Sequence, residues 1–433
     1  MNNLFDHNVE VDNEKTNFNI LPNKIDIWNN VVDEIKDLFK SADYIKLTLP
    51  LGESGLIFNN KTLDALNIKD KNSLHILKNS EFVMMPPGPI SLLNIIKDNN
   101  LLDNDIVKVY SYGMSFVDHD NDTKTDPKQM HVFKSEIVGE KSSLRDAEAI
   151  LMAYRILEDI GVKNIIVNIN FLGDDVIRKD YYDELYSKLH KRFERLCKNN
   201  IGNPINLYKE ALKQNTEMNI PLSGIVDHLD KDNSIYFKEV LDFLDSLDIP
   251  YVLNPEMLGS IGFRNYTYFE IYSQDNPSTI LVRGGNHDNI LKLVGIDKKL
   301  GAVGFEMYVD NLMTIVFEDK KEILEKDKPQ VFIASIGYDG QKSALKILSL
   351  MQKSGLIVKE HLGIKSLQKQ LAKSKKLGAT VTVIIGRKEA INKTAIIKDQ
   401  FSDNQEVVPI DKLLSTIERK LIFEDKVKSK FKK

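Results

Sequence analysis

Between Leu258 and Met313 the chain reads LGSIGFRNYTYFEIYSQDNPSTILVRGGNHDNILKLVGIDKKLGAVGFEMYVDNLM. Three apolar, strand-like runs are divided by a Gly-Gly turn (Gly284, Gly285) and a Gly-bounded loop, and a short apolar run closes the stretch. This spacing predicts antiparallel strands forming the floor of a ligand pocket. The floor carries two arginines, Arg264 and Arg283.

The rest of the chain is organised around that floor. Residues 1–18 are rich in Asn, Asp and Glu and read as a flexible lead-in. Ile25, Trp28, Val31, Val32, Ile35, Leu38 and Phe39 recur at helical spacing after Pro22, with Trp28 as a core or interface anchor. Tyr44 to Leu49 reads as a strand ending at Pro50. Leu74 to Met85 gives a strand-like pair that runs into Pro86-Pro87-Gly88-Pro89, a rigid corner. Val107 to Phe116 and Val132 to Val138 form a long hairpin around a polar loop. Ser143 to Ile160 is the clearest helix, with Ser143 and Asp146 in a capping-box-like arrangement and Gly161 at its end. A strand over Ile165 to Phe171 follows, and residues 175–247 read as a charged helical insertion.

A charged connector, EDKKEILEKDK, ends in Pro329, and beyond it strands and helices alternate. Strands over Val331 to Ile336, Leu356 to Val358, Thr380 to Ile385 and Thr394 to Ile397 are interleaved with helices over Ser343 to Met351, Leu367 to Leu377 and Ile410 to Leu421. That alternation predicts a small α/β domain with a largely parallel sheet. The expected domains are therefore 19–325 and 329–433. From Pro329 onward, 21 Lys and Arg stand against 10 Asp and Glu.

Composition narrows the class. The net charge of -4 excludes a protein that is basic overall, so any nucleic-acid footprint is local. The single cysteine, Cys197, rules out an internal disulfide and a cysteine-built metal site. The first residues, MNNLFDHNVEVDNEK, lack the basic and apolar regions of a signal peptide. No apolar run approaches the roughly 20 residues of a membrane span. The expectation is a soluble, cytoplasmic protein with no membrane association and no metal site.

Together these stretches resemble the histidyl-tRNA synthetase family, a class II aminoacyl-tRNA synthetase. LPNKIDIW, the helix after it and TLPLGESGLIF match that family's first class II motif, with Pro50 and Glu53 in place. RDAEAILMAYRILEDIGVKNIIVNINFLGD matches its DAE helix and following strand. FEIY, GGNHDNILKLVG and VGFEMYVDNL sit where the family has FEI, GGRYDxL and GFxxGxERL. SLQKQLAKSKKLGATVTVIIGRKEAINKTAIIKD follows its anticodon-binding domain. The resemblance implies an α+β class II synthetase-like domain with an antiparallel catalytic sheet of six to seven strands and a helical insertion. A small α/β anticodon-binding-like domain with a basic tail follows, and the first motif implies a homodimer.

The family activates histidine with ATP, using arginines whose planar forks hold phosphate and carboxylate. In this chain those positions carry other residues. The Phe-Arg of the second motif is Phe116-Val117, the Glu-Arg of the third is Asp310-Asn311, and the arginine opening the histidine loop is Gly259. The tyrosines of that loop fall on Phe263 and Arg264, a pocket glutamate on Pro87, a glutamine on Val132 and the tyrosine of GGRYD on His287. Glu136 matches the glutamate that faces the histidine imidazole, and Gly284, Gly285 and Asp288 match the GGRYD stretch. The ligand-binding remnant is therefore Glu136, Arg264, Gly284, Gly285, His287 and Asp288. Loss of one preorganised donor costs about 100- to 1000-fold in rate, so the chain is read as a pseudoenzyme with no catalytic residue and no cofactor. ATP and Mg enter only if ligase activity survives.

The RNA-binding candidates are Lys365, Lys369, Lys373, Lys375, Lys376, Arg387 and Lys388. The Gly337–Gly340 turn after a strand is a weak phosphate-binding hint. The resulting expectation is a tRNA-binding, regulatory or accessory protein with tRNA or a protein as partner. The alternatives are a regulatory subunit of ATP phosphoribosyltransferase and a divergent, active histidine–tRNA ligase.

Overall fold

The computed structural model describes residues 20, 24–50, 52–54, 82–84, 89–104, 106–117, 128–190, 194, 198, 224–255, 257, 264–296, 299–319, 329–399 and 404–431. The lead-in, the Pro86–Gly88 corner, Gly259, Phe263 and most of the connector before Pro329 lie outside those residues. The chain divides into two compact units, Met1–Glu322 and Ile323–Lys433.

The first unit is built on one sheet. Its strands are β1 (Ile45–Leu47), β4 (Val107–Val117), β5 (Lys128–Glu140), β6 (Ile165–Phe171), β7 (Tyr251–Leu253), β8 (Asn265–Ser273), β9 (Val282–Asn286) and β10 (Leu300–Tyr308). Their order is β1-β4-β5-β10-β9-β8-β6-β7, which makes eight strands among the described residues rather than six or seven. Pairing is antiparallel through the centre and parallel at the two edges, β1 on β4 and β6 on β7. A separate short pair joins β2 (Gly52–Ser54) to β3 (Phe82–Met84).

Side chains alternate across a strand, so each strand feeds two layers. One face packs on α1 (Ile25–Ser41), α3 (Ser143–Ile160) and α5 (Lys231–Ser246). From α1, Trp28, Val31, Val32, Ile35 and Phe39 are buried, and the Phe39 ring stacks on Tyr110 at 4.4 Å. Trp28 is the expected anchor: it is 3% exposed and its Nε1 donates to the Tyr112 hydroxyl at 3.2 Å. Full burial of such side chains contributes about 1.5–3 kcal/mol each. On the other face, α2 (Ile90–Asp98) and α6 (Asp288–Val294) bury Leu92, Leu93, Ile96, Ile290 and Leu291 against Val107, Val109, Val138 and Ala302. The insertion region contributes α4 (Asp175–His190) as well as α5.

Two local expectations are corrected. The cap of α3 is Ser142, whose side chain accepts from Leu144 N, while Ser143 is the first helical residue and donates to Glu239 Oε2 at 2.6 Å. Gly284 and Gly285 are not a turn but the middle of β9. A Cβ on Gly284 would lie 2.3 Å from the Phe269 ring. Gly285, at φ +150°, would place one 2.4 Å from the Thr267 carbonyl oxygen. The glycines permit close strand approach beside a register shift between Asn265 and Tyr268.

The second unit has strands β11 (Val331–Ser335), β12 (Val358–Glu360), β13 (Val381–Ile385), β14 (Thr394–Asp399) and β15 (Gln405–Pro409), in the order β12-β11-β13-β14-β15. The first three are parallel and the last two antiparallel. Its helices are α8 (Gly337–Lys353), α9 (Leu367–Leu377), α10 (Arg387–Asn392) and α11 (Ile410–Phe431). The expected Gly337–Gly340 turn is the first turn of α8. Gly340 is required there because a Cβ would sit 2.6 Å from the Ile385 carbonyl oxygen.

Candidate ligand face

The face of the first sheet that carries Glu136 is apolar at both ends and charged between. Along β5, Met130 and Val132 join Tyr308 in one small cluster, Val138 joins the α2–α6 core, and Lys134 and Glu136 stand in the gap. Register turns that gap into two cross-strand rows. In the first, Lys134 on β5 pairs with Glu306 on β10, Glu306 with Arg283 on β9, and Arg283 with Glu270 on β8. The charges alternate along this row and sum to zero. Lys134 Nζ lies 3.4 Å from Glu306 Oε1, Arg283 Nε donates to Glu270 Oε1 at 2.9 Å, and Tyr268 Oη donates to the same oxygen at 2.6 Å. Burial raises the Tyr268 hydroxyl pKa, so Tyr268 stays a donor.

The second row runs Glu136, Gly304, Gly285, Tyr268. A Cβ on Gly304 would come within 2.5 Å of Glu136 Oε2, so the glycine clears space for the carboxylate. That carboxylate meets an imidazole supplied by the chain itself: His287 Nε2 is 2.8 Å from Glu136 Oε2. The two side chains are 3% and 6% exposed. His287 Nδ1 lies 3.1 Å from the Gly285 carbonyl oxygen, and its backbone N donates to Ala302 O at 2.8 Å, fixing the ring.

Asp288 Oδ1 accepts from Ala302 N at 2.8 Å and its backbone N donates to Asn265 Oδ1 at 3.1 Å, so it fastens the start of α6 to the sheet. The Arg264 guanidinium lies 4.9 Å from the Tyr268 ring centroid, and its carbonyl accepts from Arg178. Val117 ends β4, paired with Lys128. Asn311, on α7 (Val309–Asp319), donates from Nδ2 to Ile280 O at 2.8 Å and so ties that helix to the loop before β9. Asp310 accepts from the backbone N of His131.

The structure thus brings Glu136, His287, Gly284, Gly285 and Asp288 together and places Arg264 beside them. Sequence reasoning missed Lys134, Glu306, Glu270 and the pairing of Arg283. Their signal was charge inside strand runs: Lys134 beside Glu136 on β5, Glu306 on β10 and Glu270 on β8.

In the second unit all seven RNA-binding candidates are exposed. Lys369, Lys373, Lys375 and Lys376 project from α9, whose inner side is anchored by Gln370 and Ser374. Gln370 Nε2 donates to Ser335 O, its Oε1 accepts from Ser335 N, both at 2.9 Å, and Ser374 Oγ meets Thr382 Oγ1 at 2.7 Å. Lys369 and Lys373 stand four residues apart on α9, a like-charge spacing that costs a few tenths of a kcal/mol in an isolated helix. Among the described residues Arg387 pairs with Asp339 at 3.7 Å, and the lysines have no carboxylate partner.

Comparisons with known proteins agree with this architecture. The Anticodon binding domain family matches residues 330–420. A Staphylococcus haemolyticus protein named histidine–tRNA ligase is 25% identical over 415 residues, covering 93% of this chain and 97% of the relative. One from Caldicellulosiruptor bescii is 24% identical over 413 residues, covering 93% and 97%. The crystal structure of apo S. aureus histidyl-tRNA synthetase superposes with a TM-score of 0.70 at 22% identity, covering 93% of this chain and 98% of that one. A Bacillus halodurans chain named ATP phosphoribosyltransferase regulatory subunit/histidyl-tRNA synthetase gives a TM-score of 0.57 at 12% identity, covering 88% and 99%. The fold is that of a class II synthetase. The chain is histidyl-tRNA-synthetase-like over nearly its whole length, with an anticodon binding domain at its C-terminal end.

Proposed function

We propose that this chain is a synthetase-like protein without adenylation activity that works by holding tRNA through its second unit. The observation that carries the reading is the 2.8 Å contact between His287 and Glu136. Resemblance assigns that carboxylate to the imidazole of substrate histidine, and here the chain's own imidazole takes it. The row beside it, Lys134–Glu306–Arg283–Glu270, is neutralised internally. Arg283, one of the two arginines expected on the pocket floor, is already bonded to Glu270. Catalysis of acyl-phosphate formation needs uncommitted cations aimed at developing charge. With Val117, Gly259 and Asn311 at the motif positions, the sequence supplies none of the three arginines.

Retention of the second unit gives the protein something to hold. The exposed lysines of α9 form the local basic footprint that phosphate contact requires. The decisive test pairs two assays. Histidine-dependent exchange of pyrophosphate into ATP is expected at background, and tRNA binding is expected at low salt with a steep loss as salt rises. Robust exchange overturns the reading, as does failure to bind any tRNA at low salt.

A second reading, a histidine-sensing regulatory subunit, draws on the likeness in fold to the Bacillus halodurans chain. The same His287–Glu136 contact counts against it, because a sensor needs Glu136 for free histidine. Calorimetric titration with histidine separates the two: saturable binding favours the sensor.

A further inference from the structure

In the second unit, the helix across the sheet from α9 carries a surface that the reading above does not use. β11 sends Val331 and Ile333 against Ala344, Ile347 and Met351 of α8, and Phe332 and Ala334 to the side where Leu367 and Leu371 of α9 pack. The outer face of α8 therefore looks away from the α9 lysines. Gly337 opens the helix at φ +69°, a left-handed conformation that glycine adopts without strain, and turns the chain from β11 straight into α8. Tyr338 follows, 78% exposed, the one exposed aromatic ring among the described residues.

At 3.6 residues per turn, Tyr338, Lys342, Leu345, Lys346 and Lys353 fall within about 100° of arc, opposite the buried Ala344, Ile347 and Met351. All five are exposed. The three lysines stand about 6, 12 and 22 Å along the helix axis from Tyr338. The only carboxylate of α8, Asp339, pairs with Arg387 at 3.7 Å, so Arg387 belongs by position with α8 rather than with the α9 lysines. Among the described residues none of the three lysines pairs with a carboxylate. An exposed ring alone, or a row of lysines alone, is ordinary surface. A ring and uncommitted cations on one face form the combination that single-stranded nucleic acid uses: a base stacks on the ring while the backbone phosphates meet the cations.

We propose that the outer face of α8 is a second RNA-contact surface, with Tyr338 as the platform for one unpaired base and Lys342, Lys346 and Lys353 on the phosphates beside it. The inference rests on the reading that the second unit holds RNA, and adds to it a single-stranded segment on the face away from α9. A duplex keeps its bases stacked inward and has none to offer the ring. An acidic peptide meets the lysines but brings no base to stack.

The test is fluorescence-anisotropy binding of the full chain to a short labelled oligouridine and to an RNA duplex of equal length, at low and rising salt. Tyr338→Ala changes no charge. It is expected to weaken oligouridine binding at least about fivefold while duplex binding and the melting midpoint stay unchanged. Tyr338→Trp is expected to keep the parent's affinity. Lys342→Glu with Lys346→Glu is expected to lower the salt slope for oligouridine by about 1.4. Lys412→Glu with Arg419→Glu, an equal change of charge on the exposed side of α11, is expected to leave that slope unchanged. Parent affinity in Tyr338→Ala overturns the proposal, as does an equal loss from the α11 pair. Either result leaves the tRNA reading standing, whereas a parent that binds neither tRNA nor oligouridine at low salt overturns both.

Discussion

Replacing Asp146 by asparagine gives the most quantitative test of the packing around α3. Burial pushes the Asp146 carboxyl up from 3.8 to about 7. Nearby Asp288 adds to that rise, while Asn286, Thr267 and Tyr236 oppose it in part. The sign follows from linkage. A folded-state pKa above the unfolded value means that the folded chain holds the proton more tightly, so this group's contribution is intact below pH 4. It is lost as the pH climbs towards 7 and is constant beyond. At 1.36 kcal/mol per unit, the shift corresponds to about 4 kcal/mol over the whole window and roughly 2–3 kcal/mol between pH 5 and pH 7. Asparagine keeps the shape and removes the titration. Urea unfolding of parent and variant at pH 5, 6, 7 and 8 gives the difference free of the rest of the chain, the neighbouring Asp288 included. The parent is expected to lose stability relative to the variant across this range and to run parallel to it above pH 7.5. Parallel curves from pH 5 to 7 would refute a buried Asp146 carboxyl raised to about 7.

Three further outcomes follow from the geometry. Gly304→Ala sets a methyl against Ser135 O and Glu136 Oε2, at 2.1 and 2.5 Å; a loss of about 1–3 kcal/mol is expected in thermal melts, and an unchanged midpoint would contradict the close approach. His287→Ala leaves the Glu136 carboxylate buried without its partner and is expected to cost roughly 3 kcal/mol. Adding Glu136→Gln should restore most of that, whereas a double variant as unstable as the single would show that the pair is not the source. A triple change of Lys369, Lys373 and Lys376 to glutamate is expected to leave the melting midpoint unchanged. It should weaken tRNA binding at least about tenfold and lower the salt slope by about 0.7–0.9 per lost phosphate contact; unchanged affinity would move the RNA surface off α9.

Strand runs, the α3 helix, the α9 helix and the change of pattern after Pro329 were legible because periodicity reports burial directly, and burial sets each of those elements. Glycine was misread for a physical reason. A turn and a close strand approach both demand a missing Cβ, so Gly284-Gly285 and Gly337–Gly340 look alike until the atoms that would collide, the Phe269 ring and the Ile385 carbonyl, are in place. The cap of α3 slipped by one residue because Ser142 and Ser143 are chemically equal candidates. β15 and α10 are short, and neither carries enough apolar repeats to register.

The ligand face was legible only in its losses. Local sequence names what stands at positions 117, 259 and 311, and from these the missing arginines can be counted. It does not tell which charges meet, because Lys134, Glu306, Arg283 and Glu270 belong to four strands whose mutual register is set by tertiary pairing, across more than a hundred residues between β5 and β10. Slipping any of those strands by one residue would send its charge into the opposite, apolar core. The burial of Phe133, Phe305 and Phe269 therefore holds the charged row in line as firmly as its ion pairs do. On the proposed reading that coupling has a consequence for the chemistry: an arginine introduced at one motif position would still face a row with no net charge and a glutamate already occupied by His287. On that reading adenylation would require His287 to leave Glu136 as well as a guanidinium to arrive.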